Sequence, residues 1–580
     1  MPLTSSGTSR YYGGRRRAQV RQRRIAAAVA VVVVVGGLTT FFVVRHNHAV
    51  AAAHRSQVEA EKVVATYLGA LSKGDVAAAA AVVEPDQRAN AQTVLAAMDK
   101  QLDVASATYN ATSPVVSKGR TPGAAFHAAL VIRGLGDYAF DGKLPLAKVA
   151  GHWAVAFSPA VAHPQLTAGG SFVRDRHLGS AGRVLMSDGA SMLVADADLA
   201  ANLRGQVTTL TSDDQAKKLG PLFLAGDDAG TTGLERGLST QLQGTPGGSI
   251  SLKDRSGKVT PLKQYALTDG HDVTTTLKLS VQQAGEAAMS PVANPGALVA
   301  LDVQTGAVLA LVNHPRGGLG RAIAVPYPPG STFKIVTTTA ALMDGIPAGQ
   351  VLDCTPEATV DGRTFHNAEH EAYGSQSFTQ AFATSCNTWF VQLAEKVHKD
   401  KPDLLTQAAQ LYGFAQTQDA AGDVLPLTSF GGFYPAPKDG AAAAGQAIGQ
   451  DQVLASPLQM ASVAAAVASG TWRSPHVTDD AKVTTHALPD GVAATLRSFM
   501  AAVEQGNGTA AHSGLPAGTY GKTGTAETTA SVSDSTKTDS WFVGFRGNVA
   551  FAVEVDEAGF GADVAAPAAA RFLAALGGSS

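Results

Sequence analysis

The chain has 580 residues, 45% hydrophobic and 16% charged, with 45 Lys and Arg against 47 Asp and Glu. That length allows about three or four domains with ordinary cores. The total of −2 hides an asymmetry: residues 1–24 hold seven arginines and no acid, so the remainder carries −9, which argues against a nucleic-acid surface on the folded part.

The first apolar element follows the arginines. Residues 25–44, IAAAVAVVVVVGGLTTFFVV, are 20 residues without a charge. At helical rise they span about 30 Å, the hydrocarbon thickness of a bilayer. A cleaved signal peptide has a shorter apolar core of about 7–15 residues, although AVAAAH just beyond resembles a small-residue cleavage site. The segment reads as a transmembrane anchor. The positive-inside rule keeps residues 1–24 in the cytoplasm and puts 45–580 outside. Both cysteines, Cys354 and Cys386, then face the compartment where a disulfide is permitted. The sequence leaves a bridge and two free thiols equally open.

A short polar linker, 45–55, leads to a helix. Ser56 and Glu59 form a capping-box pattern, Val64, Tyr67, Leu68 and Leu71 recur at helical spacing, and Gly74 is the stop. TPGAAFHAALVIRGLGDY and LPLAKVAGHWAVAFSPAV alternate like strands. Residues 56–163 are therefore predicted as a small α+β extension, with nothing catalytic in it. Residues 164–270, rich in Gly, Asp, Ser and Thr, read as an irregular, strand-containing pedestal.

From residue 271 the texture changes to a third domain, 271–580. HDVTTTLKLSVQQAGEAAM predicts a strand then a helix, and GALVALDVQTGAVLALVNH a hairpin around QTG. SWFVGFRGNVAFAVEV predicts a second hairpin around Gly547 and Asn548, and DVAAPAAARFLAAL a closing helix. Strands at both ends of a mostly helical middle predict that the two ends of this domain pair in one sheet.

The chemistry centres on PPGSTFK, residues 328–334. A serine hydroxyl needs an adjacent base, and on a helix Lys334 shares a face with Ser331 three positions back. N–H groups and the dipole at a helix start can hold an oxyanion. By itself S-x-x-K is weak, because chance supplies about one in a chain this long. Two further patterns change that. Ser385 and Asn387 form S-x-N in TSCNTW, and Lys522, Thr523, Gly524 and Thr525 stand in YGKTGTAE. Each pattern occurs once, in this order. The set is that of penicillin-binding proteins and class A β-lactamases.

With AIGQ (447–450), WFVGF (541–545) and GLERGLSTQLQG in the pedestal, the chain resembles class B penicillin-binding proteins. Its first domain is similar to the nuclear-transport-factor-like extension of some low-affinity members. The resemblance implies a multidomain α+β protein: membrane anchor helix, small α+β extension, irregular pedestal of dimerisation type, and a penicillin-binding serine transpeptidase domain with helices on both sides of an antiparallel sheet. It implies Ser331 as nucleophile and Lys334 as its base. Ser385 passes a proton to the leaving group, and Asn387 holds Lys334 and the substrate amide. Lys522, Thr523 and Thr525, with Gly524 between them, bind the substrate carboxylate. The N–H groups of Ser331 and Thr525 form the oxyanion hole. No metal or organic cofactor is implied. The implied partners are D-Ala-D-Ala stem peptides, β-lactams and a membrane-embedded glycan-strand polymerase. The implied place is the outer side of a bacterial cytoplasmic membrane, held by one span.

The family's pedestal usually opens R-G-x-I-x-D-R-N-G; AGRVLMSDGASML keeps Gly182 and Arg183 while much else differs. FHNAEHE contains H-x-x-E-H, His366 to His370, which in a zinc protease lies on a helix. Turn-like flanks make it a polar loop near the cleft instead. Alternatives to the transpeptidase are a D,D-carboxypeptidase or β-lactamase, and a non-catalytic β-lactam sensor or divisome scaffold. The anchor and extra domains disfavour a secreted β-lactamase, and three intact motifs disfavour a scaffold.

Overall fold

The computed structural model describes residues 17–119, 121–192, 203–316, 320–421, 424–528 and 537–577, with backbone alone for 17–38 and 421. One unbroken helix, α1, runs Arg17–Ser72. Between Gly37 and Gly69 it holds neither glycine nor proline, and its alanines are strong helix formers, so the stretch 45–55 expected as a linker is helical instead. Ser56 and Glu59 consequently cap no helix start. Ser56 Oγ accepts from Trp153 Nε1 at 2.9 Å, and Glu59 meets His152 at 2.8 Å. The stop is where expected, with Gly74 just beyond at φ 70°. Among the described residues no helix is long and apolar enough to cross a membrane. Most side chains of the expected 25–44 anchor lie outside the described residues.

The chain divides into two units: Met1–His177 with Gly247–Ala266, and Leu178–Pro246 with Leu267–Ser580. In the first, helices α2 (Val76–Ala81) and α3 (Arg88–Leu102) precede strands β1 (Val104–Ala111), β2 (Gly123–Ile132), β3 (Gly136–Val149) and β4 (His152–Val155). These strands form an antiparallel meander in chain order. Alternate residues of β2, Phe126, Ala128, Leu130 and Ile132, are buried against Tyr67, Leu95 and Trp153, as period-2 patterning requires. Strands β5 (Ser171–His177), β6 (Gly247–Lys253) and β7 (Val259–Tyr265) make a second antiparallel sheet, ordered β7-β6-β5. Phe172, Ile250 and Leu252 join the same core. The stretch 164–270, expected as one pedestal, thus supplies strands to this unit as well. Seven register pairs between β5 and β6 bring its two ends together.

The second unit is built on a five-stranded antiparallel sheet. Its strands are β8 (Gly296–Asp302), β9 (Val308–His314), β10 (Thr519–Ala526), β11 (Asp539–Arg546) and β12 (Val549–Val555). The order β9-β8-β12-β11-β10 puts the first and last hairpins side by side, with Gly296 opposite Val555 and Asp302 opposite Val549. The predicted pairing of the domain's two ends is therefore present. Leu298, Val299, Ala300 and Leu301 are all fully buried, so both faces of the sheet are covered. Helix α4 (Leu279–Met289) and the C-terminal helix α8 (Ala565–Gly577) pack on the sheet and on each other, and α7 (Pro457–Ser469) packs against β8, β11 and β12. Between the hairpins lie α5 (Lys334–Met343) and α6 (Asn387–Asp400). Strand β10 closes one edge of the sheet, which leaves one row of its backbone groups free for a neighbour or a ligand.

Candidate active site

The Pro-Pro-Gly turn determines where Ser331 sits. Gly330 has φ 52°, and a Cβ there would stand 2.7 Å from the carbonyl oxygen of Thr525 on β10. Gly449, in the AIGQ segment, approaches from the other side: Gly330 N–H donates to its carbonyl at 3.0 Å. Residues Gly330–Phe333 form one 3-10 turn that feeds α5, so Ser331 and Lys334 lie one turn apart. Ser331 is half-buried, whereas Lys334 is fully buried.

Ser385 and Asn387 arrive through a tight turn between the helix Phe378–Ala383 and α6. Ser385 holds φ 61°, unusual for a residue with a Cβ and of the kind stored at functional sites. That turn sets its hydroxyl between two lysines. Lys334 Nζ lies 2.9 Å from Ser331 Oγ, 3.2 Å from Ser385 Oγ, 2.7 Å from the Ser385 carbonyl oxygen and 2.6 Å from Asn387 Oδ1. Lys522 Nζ donates to Ser385 Oγ at 2.8 Å and to the Thr523 carbonyl at 2.9 Å. Five of the eight side chains singled out from the sequence, those of Ser331, Lys334, Ser385, Asn387 and Lys522, therefore share one hydrogen-bonded cluster.

The other three serve the strand. A Cβ on Gly524 would stand 2.8 Å from Thr332 Cγ2, so this glycine lets the serine turn lie against β10. Thr523 is buried, and its hydroxyl pairs with that of Thr509 at 2.6 Å rather than with the lysines. Thr525 is half-exposed. Its carbonyl faces the Gly330 turn, and in an antiparallel strand a residue's N–H and C=O share an edge, so its N–H points the same way.

Burial governs the electrostatics. It pushes Lys334 well below the usual lysine range, with the Lys522 charge adding to the shift. Burial brings Lys522 down to about 7. The Phe390 ring lies 5.2 Å from Lys334 Nζ and the Phe382 ring 5.7 Å from Lys522 Nζ, so both amines sit against apolar walls.

Sequence reasoning did not connect the cysteines and the 366–370 loop to Ser385 and Asn387. Cys354 and Cys386 are bridged, which settles the choice left open, and Cys386 stands between those two residues. The H-x-x-E-H segment forms the end of a strand, Arg363–His366, and a 3-10 turn with Glu369 and His370 at positive φ, not a zinc-protease helix. Its backbone matters more than its imidazoles, since Asn387 Nδ2 donates to the His366 carbonyl at 3.1 Å. Among the described residues no group of three or more His, Cys, Asp or Glu is arranged to hold a metal. The sequence offered the two cysteines and the 366–370 loop as separate features, and what joins them to Asn387 is tertiary.

Comparison with known proteins places these features. Residues 296–574 match the penicillin binding protein transpeptidase domain, 59–170 the NTF2-like N-terminal transpeptidase domain, and 193–275 the penicillin-binding protein dimerisation domain. The peptidoglycan D,D-transpeptidase PbpA of Mycolicibacterium smegmatis is 33% identical over 345 residues, covering 50% of this chain and 68% of the relative. Among solved structures, a chain of a peptidoglycan synthase complex that coordinates polymerization and crosslinking superposes with TM-score 0.56 at 22% identity, over 71% of this chain and 92% of that one. Penicillin-binding protein A of M. tuberculosis, as a ceftriaxone acyl-enzyme, superposes with TM-score 0.51 at 24% identity, over 68% of this chain and 98% of that one. At these identities the structural likeness speaks for the fold.

Proposed function

The chain belongs to the class B penicillin-binding proteins, the serine-type peptidoglycan D,D-transpeptidases, and from that premise we propose that Ser331 is its acylated nucleophile and Lys334 the base. One observation carries the assignment: Lys334 Nζ has two obligate acceptors, Asn387 Oδ1 at 2.6 Å and the Ser385 carbonyl at 2.7 Å. A neutral amine has two N–H bonds and one lone pair. Both hydrogens are taken by those acceptors, so the lone pair is left for the Ser331 hydroxyl at 2.9 Å. Burial, and after it the Lys522 charge, lowers the Lys334 pKa and so favours that form.

Ser331 Oγ attacks the carbonyl between the last two D-alanines of a stem peptide, and its proton passes to Lys334. The oxyanion lies between the N–H groups of Ser331 and Thr525 at the gap between the serine turn and the β10 edge. The Ser385 hydroxyl, 3.2 Å from Lys334 and 2.8 Å from Lys522, carries a proton to the leaving D-alanine nitrogen. The C–N bond breaks and the acyl-enzyme remains. An amine of a neighbouring stem then attacks the ester, gives up its proton along the same path and frees Ser331. Lys522 and the Thr523–Thr525 strand hold the terminal carboxylate, and a β-lactam presents its own carboxylate there.

Residues 25–44 anchor the protein in the membrane with the arginines in the cytoplasm, and the chain from residue 45 onward, in both units, stands outside. The likeness to a chain of a polymerizing and crosslinking complex supports a glycan-strand polymerase as partner. The test is labelling of the full chain with a fluorescent penicillin, followed by peptide mapping. A stable adduct on Ser331 is expected. An adduct on another residue would sink the assignment, and rapid drug hydrolysis without a stable adduct would make the protein a hydrolase.

A further inference from the structure

We infer that Asn367 is a positioning residue for acylation: it braces the His366 carbonyl and the first turn of α6 so that the Asn387 amide presents its oxygen, not its nitrogen, to Lys334. The inference rests on the assignment of Lys334 as base.

The Asn387 side chain is an amide, and its oxygen and nitrogen exchange places by a flip that hardly changes its shape. The two orientations are chemically opposite at Lys334. With Oδ1 at 2.6 Å the amide takes a lysine hydrogen and helps direct the lone pair at Ser331. With Nδ2 there, two donors would face each other. The group that decides is the His366 carbonyl, which accepts from Asn387 Nδ2 at 3.1 Å.

Asn367 holds that carbonyl in place. It is 3% exposed, and its amide engages three segments of chain. Nδ2 donates to the carbonyls of Thr355 at 2.8 Å and Glu371 at 2.7 Å, while Oδ1 accepts from Thr388 N–H at 3.0 Å. The bonds cross. Asn367 bonds to the residue after Asn387, and Asn387 bonds to the residue before Asn367. This clasp fixes the distance between the 366–371 loop and the start of α6 at the point where the catalytic amide needs its partner. Glu369 and His370, both non-glycine residues at positive φ, lie inside the loop so fastened. The bridge Cys354–Cys386 ties the start of α6 to the strand Val351–Cys354, whose next residue, Thr355, is one of the partners of Asn367. A bridge fixes spacing, but the orientation of the Asn387 amide depends on hydrogen bonds.

The experiment is a double-mutant cycle on the full chain, with Asn367→Ala, Asn387→Ala and the pair. The limiting acylation rate and the Kd for a fluorescent penicillin are measured, with thermal unfolding alongside. Asn367→Ala is expected to lower the acylation rate by about 10- to 100-fold with Kd changed less than about threefold, and the pair to be no slower than Asn387→Ala by itself. Additive losses in the pair, or an Asn367→Ala protein that loses only Tm, would overturn the inference. If Asn367→Ala does not fold, Asn367→Asp, of the same shape and without the two N–H donors, takes its place in the cycle with the same expected and overturning results. A wild-type chain unlabelled at Ser331 would instead sink the assignment of the nucleophile, so the two failures are told apart.

Discussion

The two units bury their principal sheets differently. In the first, β2 alternates buried and wetter positions, so one face is dry. In the second, consecutive residues of β8 are fully buried and the sheet is dry on both faces. A half-wet sheet has somewhere to put its polar groups. In that unit burial pushes His163 down to about 4, beside the Tyr138 hydroxyl. A sheet covered on both faces gives a charged side chain no escape, so Lys522 and Glu554, fully buried on β10 and β12, must be neutral, paired or chemically used. The difference teaches that a sheet dry on both faces is where burial moves an ordinary lysine and an ordinary glutamate out of their usual pKa ranges.

The sharpest break in this comparison is Ser331→Ala, which is expected to abolish penicillin labelling while unfolding within about 1 kcal/mol of the wild type, read by gel fluorescence and denaturant titration. The pH profile of acylation comes next. Lys334 must be neutral, so the limiting rate rises with pH through its depressed pKa. Lys522 must be charged to hold a carboxylate, so Kd for penicillin rises as pH passes about 7. The ratio of rate to Kd is expected to be bell-shaped; an alkaline limb near the ordinary lysine pKa would show that Lys522 is not dry.

In the first unit, Phe126→Ala is expected to cost about 3–5 kcal/mol of that unit's stability by leaving a cavity, with acylation unchanged. A parallel loss of labelling would mean that the two regions are not independent. Replacing both bridged cysteines by alanine is expected to cost about 2–4 kcal/mol in the second unit and to slow acylation, because Cys386 stands between Ser385 and Asn387.

The smallest effect concerns Glu554. Burial and the neighbouring Asp556 and Asp539 raise its pKa well above the carboxylate range, so the folded state holds a proton that the unfolded state gives up. Stability on this account is greatest below about pH 4.5 and falls as pH rises toward the raised pKa. Glu554→Gln is expected to gain about 1 kcal/mol at neutral pH and nothing near pH 4, measured as Tm against pH.

Much of this was readable in advance. The hairpins at both ends of the catalytic domain were legible because β8, β9, β11 and β12 are continuous apolar runs bounded by QTG and by Gly547-Asn548, which are local signals. The start of α1 was misread because a capping pattern at Ser56 and Glu59 cannot stop a helix already running through alanine. The division of 164–270 was invisible because pairing of 171–177 with 247–253 depends on contacts made across the fold.

By itself the sequence determined the chemical vocabulary: Ser331 and Lys334 one helical turn apart, S-x-N and K-T-G following in order, and a basic, apolar, then acidic run of chain. Those features depend on residue type and short spacing, which survive in a linear string. The tertiary structure decided what the residues became. Lys334 meets Ser385, 51 residues on, and Ser385 meets Lys522, 137 residues on, inside a core that strips water from both amines. A pKa, an amide's orientation and a disulfide each depend on what surrounds a group, and the surroundings exist once distant segments have packed.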